Sequence, residues 1–135
     1  MKRVLLVPSV RRGNGSGHLV RCLSLARELG PGARVFVSRE GGAASWSPAE
    51  ITLAFPGAAD DIVVDRLEPR ERFDLVLLDR RETSLEELGT WLSRGPVVAL
   101  DEGGAARRSA SYLVDALPRP RARRSEPTPN LSSRG

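Results

Sequence analysis

The only histidine of the chain, His18, follows the turn Gly13-Asn14-Gly15-Ser16-Gly17 and precedes Leu19-Val20-Arg21-Cys22. Glycines at 13, 15 and 17 let a backbone bend sharply and come close to a ligand. The helix that follows offers unpaired N–H groups and a partial positive charge to a polar ligand. His18 is the first side chain over such a site, and an imidazole of ordinary pKa, about 6.5, is a general base when neutral. A helix start disfavours its charged form. Asp79 and the Asp101-Glu102 pair are the other candidates, because each stands at the end of an apolar run, Phe73 to Asp79 and Val97 to Glu102.

Each of these residues also has a plainer reading. A lone histidine is more often structural than catalytic. An arginine in the second turn of a helix, as Arg21 would be, is as readily a solvated residue as a ligand contact. Asp79 and Asp101 could cap the next helices or accept backbone N–H groups in their own loops, and Glu102 carries the weakest signal of the three. Cys22 falls among the apolar positions of the helix, where a cysteine acts as a small hydrophobe.

Two nucleotide motifs fit poorly. The dinucleotide fingerprint G-x-G-x-x-G begins at Gly13, but its sixth position is His18 where close helix packing wants glycine or alanine, and the turn after Val7 is too long. A phosphate-cradling Walker loop needs Lys-Ser or Lys-Thr after the glycines, and neither is present.

These residues must be positioned by alternating strands and helices. Lys2 to Val7 reads as a buried strand, with a continuous apolar run of the kind found in strands covered on both faces. From His18 to Leu29, the residues Leu19, Cys22, Leu23, Ala26 and Leu29 recur at helical spacing, and Gly30-Pro31-Gly32 stops the helix. Ala33 to Ser38 predicts a second strand, and Gly41-Gly42 a loop. Ser47-Pro48-Ala49-Glu50 is a capping box that opens a short helix to Ala54. A short strand over Ile62 to Asp65 and a strong one over Phe73 to Asp79 follow. Ser84-Leu85-Glu86-Glu87 opens a helix to about Ser93, closed by Gly95-Pro96, and strands are expected over Val97 to Leu100 and Tyr112 to Ala116. This alternation predicts an α/β fold with a doubly wound, mostly parallel, Rossmann-like sheet, because parallel neighbours need crossover connections.

The 135 residues suffice for one domain. Its expected extent is residues 1–117, followed over 118–135 by a Pro/Arg/Ser-rich tail or linker too poor in apolar residues to offset the entropy of ordering. That tail holds five arginines, at 119, 121, 123, 124 and 134, against Glu126. Its charge equals the formal +4 of the whole chain, so the body is neutral. Aromatic residues are few and no basic stripe interleaved with them is found, which argues against nucleic-acid binding. One cysteine permits no internal disulfide and suits a reducing compartment. The basic start is followed by too short an apolar run for a signal peptide, and no segment can span a bilayer, so a cytoplasmic protein without membrane contact is expected.

The segment Gly-Ser-Gly-His-Leu-Val-Arg-Cys-Leu-Ser-Leu-Ala-Arg-Glu-Leu, residues 15–29, resembles the first helix of a family of nucleotide-sugar enzymes. That family contains the pseudaminic-acid pathway UDP-sugar hydrolase and spore-coat polysaccharide biosynthesis proteins, and is related to the B-type glycosyltransferases. Gly15, Gly17, His18, Arg21, Cys22, Leu25 and Ala26 carry the match, which continues weakly through Asp79 and Asp101 to about Pro118. The resemblance implies the N-terminal half of a protein with two Rossmann-like domains, whose second half holds most of the nucleotide. It further implies that His18 activates water to attack the anomeric carbon of a UDP-linked sugar, expelling UDP with inversion and without a metal or other cofactor. Gly15, Ser16, Gly17, Arg21, Asp79 and Asp101 are then the expected substrate contacts.

The chain departs from the family at three places. The acid usual after the first strand is missing from Pro8-Ser9-Val10-Arg11-Arg12, Asp79 is followed by Arg80-Arg81 instead of a small or aromatic pair, and Asp101 is followed by Glu102 where a second Asp is common. Two further readings stand beside the enzyme half: a non-catalytic module that binds sugar nucleotides, and a protein-interaction module using the basic tail. A C-terminal-half partner domain is expected only under the first.

Overall fold

The computed structural model of the chain describes residues 2–9, 17–38, 46–55, 58 and 61–115. In chain order the elements are β1 (Val4–Pro8), α1 (Gly17–Leu29), β2 (Ala33–Phe36), α2 (Pro48–Ala54), β3 (Val63–Val64), β4 (Leu75–Asp79), α3 (Leu85–Leu92), β5 (Val97–Leu100), a 3-10 turn (Ala105–Arg108) and β6 (Tyr112–Val114). The six strands form one sheet in the order β3-β2-β1-β4-β5-β6, and every neighbouring pair is parallel. The expected α/β class and parallel sheet are therefore present, with no antiparallel strand among the described residues.

Strand periodicity sorts the apolar residues into two cores, because successive side chains leave a strand on opposite faces. Val4 and Leu6 of β1 face one way, and with Val35 and Val37 they pack on Leu19, Cys22, Leu23 and Ala26 of α1 and Ile51 of α2. Leu5 and Val7 face the other way, and with Val76, Leu78, Val97 and Ala99 they pack on Leu88 and Trp91 of α3 and Ala106 of the 3-10 turn. The crossovers following β1 and β2 thus cover one face and those following β4 and β5 the other. The winding direction reverses between β1 and β4, which is the position where open α/β sheets leave a crevice at the carboxyl ends of their strands.

Local chemistry sets the element limits. At α2 the expected capping box is complete: Ser47 Oγ accepts from Glu50 N at 3.2 Å, and Glu50 Oε1 accepts from Ser47 N at 3.2 Å. At α3 Ser84 Oγ accepts from Glu87 N at 3.1 Å. Gly95 has to be glycine, because a Cβ there would overlap the Phe73 carbonyl oxygen.

Several expected boundaries move. The first strand begins at Val4 and ends at Pro8, and α1 begins one residue early, at Gly17. The second strand stops at Phe36, and the third shrinks from Ile62–Asp65 to Val63 and Val64. Phe73 and Asp74 precede β4, since their N–H groups donate to the carbonyls of Arg94 at 2.7 Å and Arg3 at 2.8 Å, outside the ladder. The last strand ends at Val114. Ala116, the Gly13–Ser16 part of the glycine turn, the Gly41-Gly42 loop and the tail from 118 lie outside the described residues. Among the described residues no helix is long and apolar enough to cross a membrane.

Candidate functional site

The candidate site forms where α1 starts beside the carboxyl ends of β1 and β4. Parallel pairing sets Pro8 opposite Asp79, and Ser9 N donates to the Asp79 carbonyl at 3.0 Å. His18 is the second residue of α1, and Arg21 follows it by three positions, so both project from one side of the helix. The fully buried Asp79 side chain receives both of them.

His18 Nδ1 lies 2.6 Å from Asp79 Oδ1. Arg21 forks onto the same carboxylate, with Nε to Oδ2 at 2.7 Å and Nη2 to Oδ1 at 2.6 Å, and its Nη1 reaches Asp101 Oδ2 at 3.5 Å. The guanidinium supplies the counter-charge that a buried carboxylate needs, in the bidentate geometry that makes such pairs strong. A carboxylate only accepts hydrogen bonds, so the His18 ring donates from Nδ1, and in the neutral imidazole the lone pair is then on Nε2. The His18 side chain retains 15% of its exposure, while Asp79 retains none. The imidazole is thus accessible and its partner is not.

Hydrogen bonding to Asp79 pushes Arg21 above its already high ordinary pKa; partial burial opposes this, and the charges of Asp79 and Asp101 reinforce it. Directly beneath, burial drives the Cys22 thiol far upward, with the Asp79 charge adding to the effect and Arg21 opposing it. Cys22 is therefore a neutral core residue, in agreement with its plainer reading in the sequence.

The loops leaving β4 and β5 are locked to each other behind this cluster. The buried Glu102 carboxylate accepts at Oε2 from Thr83 N at 2.9 Å and from Gly104 N at 2.8 Å. Gly103 N donates to the Arg81 carbonyl at 2.6 Å, and Ala106 N to the Thr83 carbonyl at 3.1 Å. Arg107 closes the far side by donating to the Glu102 carbonyl at 3.0 Å and forking onto Asp115 at 2.8 Å. Within these loops Arg81 (φ 67°) and Asp101 (φ 50°) hold left-handed backbone, the only described residues other than glycine to do so. Left-handed backbone is uncommon without glycine and costs energy that the surroundings must offset.

The structure brings together His18, Arg21, Asp79 and Asp101, four residues that the sequence singles out. Gly15 and Ser16 lie outside the described residues. Gly17 takes no part in a sharp bend, because it is already the first residue of the helix and its φ is not positive; a Cβ there would meet nothing within 4 Å, so the space beside it is open. Asp79 does not cap the next helix, since Ser84 does so. The alternative of accepting loop N–H groups is realised instead at Glu102, the acid with the weakest sequence signal. The clue available in sequence was its place between a buried strand and Gly103-Gly104, where backbone donors are left without ladder partners. Among the described residues no group of three or more His, Cys, Asp or Glu side chains is arranged to hold a metal ion.

Comparison with protein-family models, with curated protein sequences and with solved structures finds no match to this chain.

Proposed function

We propose that this chain is the N-terminal, Rossmann-like half of a nucleotide-sugar hydrolase or glycosyltransferase-like enzyme, with His18 as the general base. The observation that carries the reading is the 2.6 Å contact between His18 Nδ1 and the buried Asp79 carboxylate. It orients an accessible imidazole at the carboxyl rim of a parallel sheet, at the point where the winding reverses. The sequence likeness of residues 15–29 supplies the substrate class.

In this mechanism His18 Nε2 takes a proton from water, the water oxygen bonds to the anomeric carbon, and the bond to the nucleoside diphosphate breaks with its electron pair leaving on the diphosphate. In a transferase, a sugar hydroxyl takes the place of water. Asp79 holds the ring in the required tautomer and stabilises the imidazolium as it forms. Arg21 fixes Asp79 and is itself steadied by Asp101. A base placed in this way contributes roughly 10²–10⁴ in rate. Further acceleration comes from positioning the sugar and stabilising the diphosphate, a task shared with the partner domain.

The test is UDP-sugar turnover by this chain combined with a second, nucleotide-binding half. His18→Gln and Asp79→Asn are each expected to lower turnover by roughly 10²–10⁴ while the circular dichroism spectrum is kept. Asparagine at 79 can offer an N–H toward Nδ1, which forces the unproductive tautomer. Full turnover by His18→Gln removes this histidine from the chemistry, and with it the reading.

A further inference from the structure

An oxyanion brought to this rim meets three buried carboxylates, those of Asp79, Asp101 and Glu102. Arg21 is committed to Asp79 and Asp101, and Arg107 to Asp115 and the Glu102 carbonyl. Charge of one sign concentrated beside a low-dielectric wall repels a like-charged ligand. A substrate carrying phosphate or carboxylate groups therefore needs another cation here.

Arg80 and Arg81 leave β4 immediately after Asp79. Arg80 is drawn to Glu87, with Nε 3.4 Å from Oε2. Arg81 differs: among the described residues its side chain has no hydrogen-bond or ion-pair partner, and it is exposed. Its backbone, at φ 67°, is held in the left-handed region by the 2.6 Å bond from Gly103 N, inside the loop pair that Glu102 locks. Glycine fills such a position without strain, and asparagine or aspartate with less strain than arginine. The loop thus maintains, at a costly backbone conformation, a guanidinium that no described residue pairs, two residues from the carboxylate that orients His18.

We infer that Arg81 is a substrate-binding residue, which receives an oxyanion of the sugar nucleotide, either its diphosphate or a carboxylate on the sugar. The inference rests on the proposed function for the identity of the substrate, but not for the anion binding itself. Arginine suits the role because its planar fork matches phosphate and carboxylate oxygens two at a time.

The experiment is calorimetric titration of the full chain and its Arg81→Gly and Arg81→Ala variants with pyrophosphate, UDP, UDP-glucose and UDP-glucuronate. The expected result is binding by the parent chain that Arg81→Gly weakens about tenfold or more, while Arg81→Gly melts no earlier than the parent because the backbone strain is relieved. Weakening for pyrophosphate and UDP identifies the diphosphate as the partner; weakening confined to UDP-glucuronate identifies the sugar carboxylate. Equal affinity in parent and Arg81→Gly, or no anion binding by the parent chain, overturns the inference. Turnover that survives His18→Gln overturns the proposed chemistry alone, since Arg81 is read out by affinity and His18 by rate.

Discussion

At the scale of single residues, the site is organised around one buried carboxylate with two partners on a single helix face. The sequence shows that His18 and Arg21 share that face, but not that they converge on Asp79, which lies 61 and 58 positions away. That convergence depends on β1 and β4 being neighbours, which local patterns do not encode. Arg21, equally a solvated residue or a ligand contact by its sequence, is instead fixed to two acids. Cys22 offers an independent check on the burial beneath them. Its thiol is fully buried and its ionisation is pushed far upward by desolvation. Iodoacetamide at pH 8 is therefore expected to leave Cys22 unmodified in the folded chain and to label it on unfolding in guanidinium, with mass spectrometry as the readout. The same shift has a sign in stability. The unfolded thiol ionises near its ordinary pKa of about 8.5 while the folded one stays protonated, so the folded state loses stability as pH rises above that value. Labelling of the native chain at the rate of a free thiol would contradict the packing of α1 on β1.

At the scale of elements, legibility followed the length and chemistry of each signal. The helix Pro48–Ala54 was readable to the residue because Ser47, Pro48 and Glu50 specify a capping box and an N1 proline together. The strand Val97–Leu100 was equally clear, being an apolar run that follows Gly-Pro. The 3-10 turn Ala105–Arg108 left no trace, since four residues are too few to show a period, and what fixes them is the distant Thr83 carbonyl bonded to Ala106 N. The third strand is shorter than Ile62–Asp65 because its register with β2 covers only Val63 and Val64, with Ile62 giving just its carbonyl to Val35 N at 2.8 Å. Two substitutions test the local account. Ser47→Ala should lower stability by about 1 kcal/mol through loss of the cap. Gly95→Ala should cost several times more, because the new Cβ overlaps the Phe73 carbonyl and the Phe73 N–H bond to Arg94 is strained with it. Denaturant melts that rank the two variants in the opposite order would contradict this description of the α3–β5 turn.

At the scale of the whole molecule, the sheet is a single wall between two cores. One core packs around Leu19 and Ile51, the other around Leu88 and Trp91, and they share strands β1 and β4. Shared strands couple the two faces, so one cooperative transition is expected on unfolding. Leu19→Ala and Leu88→Ala should each cost about 2–5 kcal/mol and move that one transition without splitting it. Coincident circular dichroism and tryptophan fluorescence curves for both variants are the check, since Trp46 packs against one core and Trp91 lies in the other. Because all six strands run the same way, the polypeptide also departs from β6 at the rim that carries His18. With β5 the only strand between β4 and β6, Val114 leaves the sheet roughly 10 Å to the side of β4. Arg107, clasping Asp115, anchors that departure point. A globular unit tethered past Asp115 by even a short connector would start out within reach of the imidazole, and would not have to travel around the fold to face it.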